Sequence, residues 1–184
     1  MAPELAGKRL ELLKEVIPGL TRIAVLWNAA NPYSAAGFDQ TKLAAERLGI
    51  EVQSPGLRSP NDLDGALEGA LRQNAAALIT IEDPLIFDNR KQIVTFAAKS
   101  RLPVISGARE FADAGGLLAY GANLADLSRR AAAYVDQILK GTKPSDLPVE
   151  QPAKFDFVIN LKTAKSLGIS ISPALLARAD EVIE

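Results

Sequence analysis

The stretch Thr21-Arg-Ile-Ala-Val-Leu-Trp-Asn28, followed at once by Ala29-Ala30-Asn31-Pro32, decides the fold. Its nearly continuous apolar run has strand length, the pattern of a strand covered on both faces. Asn28 closes it, Ala29 to Asn31 reads as a turn, and Pro32 suits the first position of a helix because its missing N–H is not needed there. That helix continues to Leu48, where Gly49 stops it. Outward from this unit the same grammar repeats. Ile50 to Leu57 reads as a strand, Ser59-Pro60-Asn61-Asp62 as a helix start, Leu63 to Gln73 as a helix and Ala75 to Asp83 as an apolar strand. Pro84 opens a helix running to Ser100, Leu102 to Ser106 is a short buried strand, Arg109 to Asp113 a helical turn and Gly116 to Tyr120 a further strand. Strands alternating with crossover helices predict an α/β fold, a doubly wound parallel sheet in three layers with helices on both faces.

On the N-terminal side, Leu10, Leu13, Val16 and Ile17 are spaced as an amphipathic helix that ends at Pro18-Gly19. After Gly121 the pattern changes. Leu124, Leu127, Ala131, Tyr134, Val135, Ile138 and Leu139 form the apolar stripe of a long helix ending at Gly141, and Thr142 to Pro148 reads as a linker. Extended segments are expected at Val149 to Gln151 and Lys154 to Asn160, then two short helices at Lys162 to Leu167 and Pro173 to Val182.

The chain has 184 residues, 48% hydrophobic and 23% charged, enough for one sizeable core and too few for two full domains. Twenty-one basic against 22 acidic residues leave a formal charge of −1, with no block of like charge. That removes the electrostatic footprint of a nucleic-acid binder. Histidine and cysteine are both absent, which excludes disulfides, thiolate nucleophiles, Ser-His-Asp triads, histidine general bases and His-containing zinc sites. Lack of cysteine does not decide the compartment. The start Met1-Ala-Pro-Glu-Leu-Ala-Gly-Lys-Arg9 has no apolar signal-peptide stretch, and no window approaches the roughly 18 apolar residues of a membrane span.

In open α/β sheets a ligand sits outside the carboxyl ends of the strands, where helix N-termini offer free N–H groups. Those ends present Asn28, Asn31, Pro32, Tyr33 and Ser34 after the first strand, Glu82, Asp83 and Pro84 after the third, Ser106, Gly107, Arg109 and Glu110 after the fourth, and Tyr120 at the last. Amide, hydroxyl, carboxylate and guanidinium groups together suit a small polar or zwitterionic ligand. The ligand-binding candidates are therefore Asn28, Asn31, Pro32, Tyr33, Ser34, Asp83, Gly107, Arg109, Glu110 and Tyr120. Each also has a plainer role: asparagines serve turns, Asp83 beside Pro84 serves a helix cap, Arg109 and Glu110 serve surface ion pairs, and a tyrosine ending an apolar strand serves the core.

No G-x-G-x-x-G, Walker, H-E-x-x-H or EF-hand pattern is present, and no catalytic residue, metal or cofactor is assigned. A two-component receiver would place its phospho-accepting aspartate at Asp83. It would also need a carboxylate pair after the first strand to hold Mg²⁺, where this sequence has Trp27-Asn-Ala-Ala30, and a lysine where it has Tyr120-Gly121. Another flavodoxin-like α/β domain, or an enzyme using Asp83 or Glu110 as general base, is the remaining alternative.

Five segments in order carry a resemblance: Gly7-Lys-Arg-Leu-Glu-Leu-Leu-Lys-Glu15, Val25-Leu-Trp-Asn-Ala-Ala-Asn-Pro32, Leu117-Leu-Ala-Tyr-Gly-Ala-Asn-Leu124, Val158-Ile-Asn-Leu-Lys-Thr-Ala-Lys-Ser-Leu-Gly-Ile169 and Leu175-Leu-Ala-Arg-Ala-Asp-Glu-Val-Ile183. They resemble the ABC transporter substrate-binding proteins of the tryptophan/tyrosine type. The resemblance implies a type I periplasmic-binding fold, with two α/β lobes joined by three crossing strands and closing on a ligand. It implies a small-molecule ligand such as an amino acid or small organic acid, bound without chemistry, a transporter permease as partner and an extracytoplasmic location. Family members also carry a signal or lipoprotein anchor and a first lobe, neither of which is expected in this chain. By that analogy residues 1–20 enter from the first lobe, 21–121 form the ligand-binding lobe, 122–143 form a helix that packs on the first lobe, and 144–184 cross and return. With that lobe absent, a homodimer through Leu124, Leu127, Ala131, Tyr134, Val135 and Ile138 is expected.

Overall fold

A computed structural model describes residues 3–184; Met1 and Ala2, where the reading for an export signal begins, lie outside the described residues. The strands are β1 (Arg22–Asn28), β2 (Glu51–Gln53), β3 (Gly56–Leu57), β4 (Leu78–Thr80), β5 (Val104–Ser106), β6 (Leu118–Ala122), β7 (Phe155–Asn160) and β8 (Glu181–Ile183). They form one sheet in the order β2-β1-β4-β5-β6-β7-β8, with β3 beside the carboxyl half of β1. All pairings are parallel except β6 with β7. The α/β doubly wound class is thus realised, with one antiparallel strand added.

The helices are α1 (Pro3–Val16), α2 (Pro32–Arg47), α3 (Leu63–Arg72), α4 (Pro84–Asp88), α5 (Arg90–Lys99), α6 (Arg109–Asp113), α7 (Leu124–Leu139), α8 (Leu161–Leu167) and α9 (Pro173–Leu176). Successive residues of β1 feed opposite cores. Ile23 and Val25 pack with Leu10, Leu13 and Val16 of α1, Ala45 of α2, Ala164 of α8 and Leu175 of α9. Ala24 and Leu26 pack with Leu63 and Leu67 of α3, Ile86 of α4, Ile93 of α5 and Phe111 of α6. The two-residue side-chain period of a strand therefore sorts one apolar run into both layers.

Beyond shifts of one to three residues at β5, β6 and other ends, and the absence of a strand at Val149 to Gln151, four elements differ from the sequence expectation. The strand expected over Ile50 to Leu57 is split into β2 and β3, with Ser54-Pro55 between them; Pro55 has no N–H for the ladder. The strand expected over Ala75 to Asp83 narrows to β4, although Ile81 N still donates to Leu26 O at 2.9 Å. The helix expected from Pro84 to Ser100 breaks at Asn89, whose Nδ2 donates to Leu85 O at 2.8 Å, the local competition with helix bonding that asparagine offers. The last helix expected, Pro173 to Val182, ends at Leu176. Asp180 then bonds both ways with Phe157, N to O at 2.9 Å and Oδ2 from N at 2.8 Å, and Val182 and Ile183 join the sheet edge as β8. Edge pairing of β-branched residues outweighs the short helical signal.

Asparagine, aspartate and serine caps mark helix starts. Asn31, Asp83, Asn123, Asn160 and Ser172 each accept a backbone N–H at the N-terminus of α2, α4, α7, α8 and α9. Gly168 ends α8 at φ 73°, a left-handed conformation that a Cβ would strain.

No residue of α7 is buried. Leu124, Val135 and Leu139 are 60%, 55% and 82% exposed. The segment after it folds back on the helix: Tyr134 OH donates to Pro148 O at 2.8 Å, and Arg130 pairs with Glu150 and donates to Gln151 O. No helix among the described residues is long and apolar enough to cross a membrane.

Leu13→Ala, at a position with no exposure, is expected to cost about 2–5 kcal/mol in urea unfolding. Leu43→Ala, on the half-exposed face of α2, is expected to stay within about 0.5 kcal/mol. Hydrogen bonding from Arg130 holds the Glu150 carboxyl below the usual carboxylate range. A depressed folded-state value means that this contact stabilises the arm above the unfolded value and is lost as pH falls through the folded one. NMR of the Tyr134 ring is expected to report release of residues 148–151 from α7 in that acidic window, and an unchanged spectrum there would contradict the contact.

Candidate functional site

Strand order places the site. From β1 the chain crosses through α2 to β2 on one side and then through α3 to β4 on the other, so the carboxyl ends of β1 and β4 flank the point where the winding reverses, the usual ligand crevice of such sheets. Asn28 and Asn31 converge there on Asp83. Asn28 Nδ2 donates to Asp83 Oδ1 at 3.0 Å and Asn31 Nδ2 to Asp83 Oδ2 at 2.7 Å. Leu85 N also donates to Oδ1 at 2.8 Å, capping α4. The amide oxygens are spent as well, Asn28 Oδ1 on Ala30 N at 2.9 Å and Asn31 Oδ1 on Tyr33 N at 3.0 Å. Ser34, wholly buried, accepts Asn28 N through Oγ at 2.9 Å. Asn28, Asn31, Ser34 and Asp83 therefore form one cross-braced unit that fixes the β1–α2 and β4–α4 turns. Pro32 starts α2, and Tyr33 stands at the rim, 57% exposed.

Beside this unit lies an ion pair that sequence reasoning did not single out. Arg9 of α1 is 1% exposed and points its guanidinium beneath the carboxyl end of β4, pairing with Glu82, while its Nε donates to Tyr120 O at 2.8 Å. The signal was present: Arg9 sits among Ala6, Leu10 and Leu13 at helical spacing, on the face α1 buries. Gly107 makes the arrangement possible, since a Cβ there would overlap both the Glu82 carboxylate and the Arg9 guanidinium. Gly121 allows the next approach, because a Cβ on it would strike the Gly107 carbonyl. Thr80 Oγ1 donates to Ser106 Oγ at 2.9 Å and steadies the β4 and β5 ends.

The remaining candidates are dispersed. Arg109 is engaged by Glu181 at 2.9 Å and Asp113 at 3.5 Å, toward the β8 edge. Burial works to lower its pKa, but these two carboxylates outweigh it and the net shift is upward. Glu110 keeps its Oε2 buried without a hydrogen-bond partner. Tyr120 lays its ring against Phe155 and Phe157, each with centroids 6.2 Å away. Among the described residues no group of three acidic side chains is disposed to hold a metal ion. A cavity of about 350 Å³ lies elsewhere, at the amino ends of the strands, lined by Val94, Leu102, Gly115 and Thr163 among others.

Asp83→Ala leaves two amides and a backbone N–H without their acceptor, and is expected to cost about 1–3 kcal/mol in chemical denaturation. A loss under about 0.5 kcal/mol would contradict the bracing role.

Comparison with known proteins converges on one group. Residues 3–183 match the sequence model described as ABC transporter substrate binding protein. A tyrosine-binding protein of Clostridioides difficile is 24% identical over 160 residues, which are 87% of this chain and 46% of that protein; the chain spans about half the length of the curated relatives it matches. A solved structure from Streptococcus pneumoniae, an ABC domain in complex with L-Trp, superposes with a TM-score of 0.89 at 27% identity, covering 97% of this chain and 60% of that one. A conserved domain protein from Vibrio cholerae superposes equally well, at 25% identity with 96% and 60% coverage. With residues 3–183 inside the match and 97% of the chain superposing on the S. pneumoniae structure, the chain belongs to the ABC transporter substrate-binding protein family.

Proposed function

We propose that this chain supplies one wall of a cleft that holds an aromatic amino acid for an ABC-type uptake transporter, outside the cytoplasm and without chemical change to the ligand. The observation that carries the proposal is the reversal of winding at the carboxyl ends of β1 and β4, where the turns braced by Asn28, Asn31 and Asp83 lie beside the Arg9–Glu82 pair and the Gly107 turn. Its support from outside is the L-Trp complex of the S. pneumoniae relative and the tyrosine-binding relative of C. difficile. In this proposal Asn28, Asn31, Ser34 and Asp83 hold the wall in shape. Pro32, Tyr33, the turn from Gly107 through Arg109 to Glu110, and Tyr120 border the ligand. The permease of the transporter is the partner that reads the loaded protein.

A ligand held by the folded state alone raises stability with concentration, by about 2.7 kcal/mol at one hundred times its Kd. L-Tryptophan or L-tyrosine is therefore expected to raise the Tm of the 184-residue chain progressively. No rise at tens of millimolar would contradict binding by this wall. A second reading concerns α7, whose Leu124, Leu127, Ala131, Tyr134, Val135 and Ile138 stripe contains no buried residue. Two copies pairing along it would remove that apolar surface from water, and sedimentation of a monomer at high concentration would dismiss it.

A further inference from the structure

Two carboxylates stand side by side at the end of β4, and their surroundings differ. Asp83 is 6% exposed, and its two oxygens are occupied by Asn28, Asn31 and Leu85 N. It has little left to offer a ligand. The Glu82 side chain is 35% exposed; Arg9 Nη1 lies 3.3 Å from Oε2, Nη2 pairs with Oε1, and the Gly107 backbone packs close against the same carboxylate. A carboxylate has about four acceptor sites on its two oxygens, so acceptor capacity remains on its exposed part for a further hydrogen-bond donor.

Arg9 is buried beneath that carboxylate, and its Nε is tied to Tyr120 O. A guanidinium taken out of water is strongly destabilising without its partner, so the pair holds Glu82 in one rotamer before any ligand arrives. Gly107 and Gly121 mark how closely the backbone has been drawn in to build this floor. The pair as a whole is formally neutral. It can therefore accept hydrogen bonds from an ammonium group without selecting for net positive charge, which suits a zwitterion better than a simple cation.

We propose that Glu82, held by Arg9, accepts the ammonium group of an α-amino-acid ligand, and that Arg9 is the positioning residue for that contact. This rests on the amino-acid reading given above. Pre-ordering an acceptor lowers the entropy lost on binding, and a hydrogen bond to a charged group is worth enough to change affinity by roughly tenfold or more.

Calorimetry with L-tryptophan and its deaminated analogue indole-3-propionate, on the whole chain, separates the contributions. Glu82→Gln keeps an acceptor for Arg9 and is expected to fold. It should weaken L-tryptophan by roughly tenfold or more while moving indole-3-propionate by no more than about twofold. Arg9→Lys, which retains a cation, should show the same selective loss to a smaller extent than Arg9→Met, and Tm measured without ligand records the separate effect on folding. Equal binding of L-tryptophan by wild type and Glu82→Gln would overturn the assignment of Glu82 while leaving the amino-acid reading in place. So would a loss shared equally by both ligands. Failure of the wild type to bind L-tryptophan or L-tyrosine would overturn both.

Discussion

Burial of β1 on both faces is the constraint from which the rest of this structure follows. A strand that sends Ile23 and Val25 one way and Ala24 and Leu26 the other needs an apolar layer on each side. Helices must therefore cross both above and below the sheet. Once α2 has led to β2 on one flank and α3 to β4 on the other, the helices leaving β1 and β4 diverge. The gap they leave at the strand ends is a product of topology and not of any one side chain. Polar groups collect there because the two cores leave no place for them.

The chemistry of that gap comes from a division of labour between neighbours in sequence. Asp83 faces asparagine amides and a helix N-terminus, and its acceptor capacity is consumed in holding two turns together. Glu82, one residue earlier, pairs with the buried Arg9 and stays partly exposed. Residue type alone would make them equivalent. The environment makes one a brace and the other an available acceptor, and two glycines provide the room for that difference.

Much of this was legible in the sequence because it depends on local signals. The apolar run of β1, the caps with a following proline at Asn31, Asp83 and Ser172, and the glycine stops all act within a few residues, and they set the α/β alternation and the location of the strand ends. What was not legible depends on pairing across long separations. Glu181 to Ile183 reads as the tail of a helix until β7 is present to bind it. Asn28, Asn31 and Asp83 read as three polar candidates until their mutual hydrogen bonds show that they largely satisfy one another. Arg9 is separated from Glu82 by 73 residues, and only its place on an apolar helix face hinted that it would be buried.

The solved relative that superposes on this chain is longer, with 60% of its length covered, and α7 has no buried residue among the described residues. In the function proposed above, ligand meets this chain at the carboxyl ends of β1, β4 and β5. Amide NMR of the isotope-labelled chain titrated with L-tryptophan tests it most directly. Perturbations are expected at Ala29 to Ser34, Glu82 to Leu85 and Gly107 to Glu110. Perturbations confined to the cavity around Val94, Leu102 and Thr163, or to α7, would contradict it.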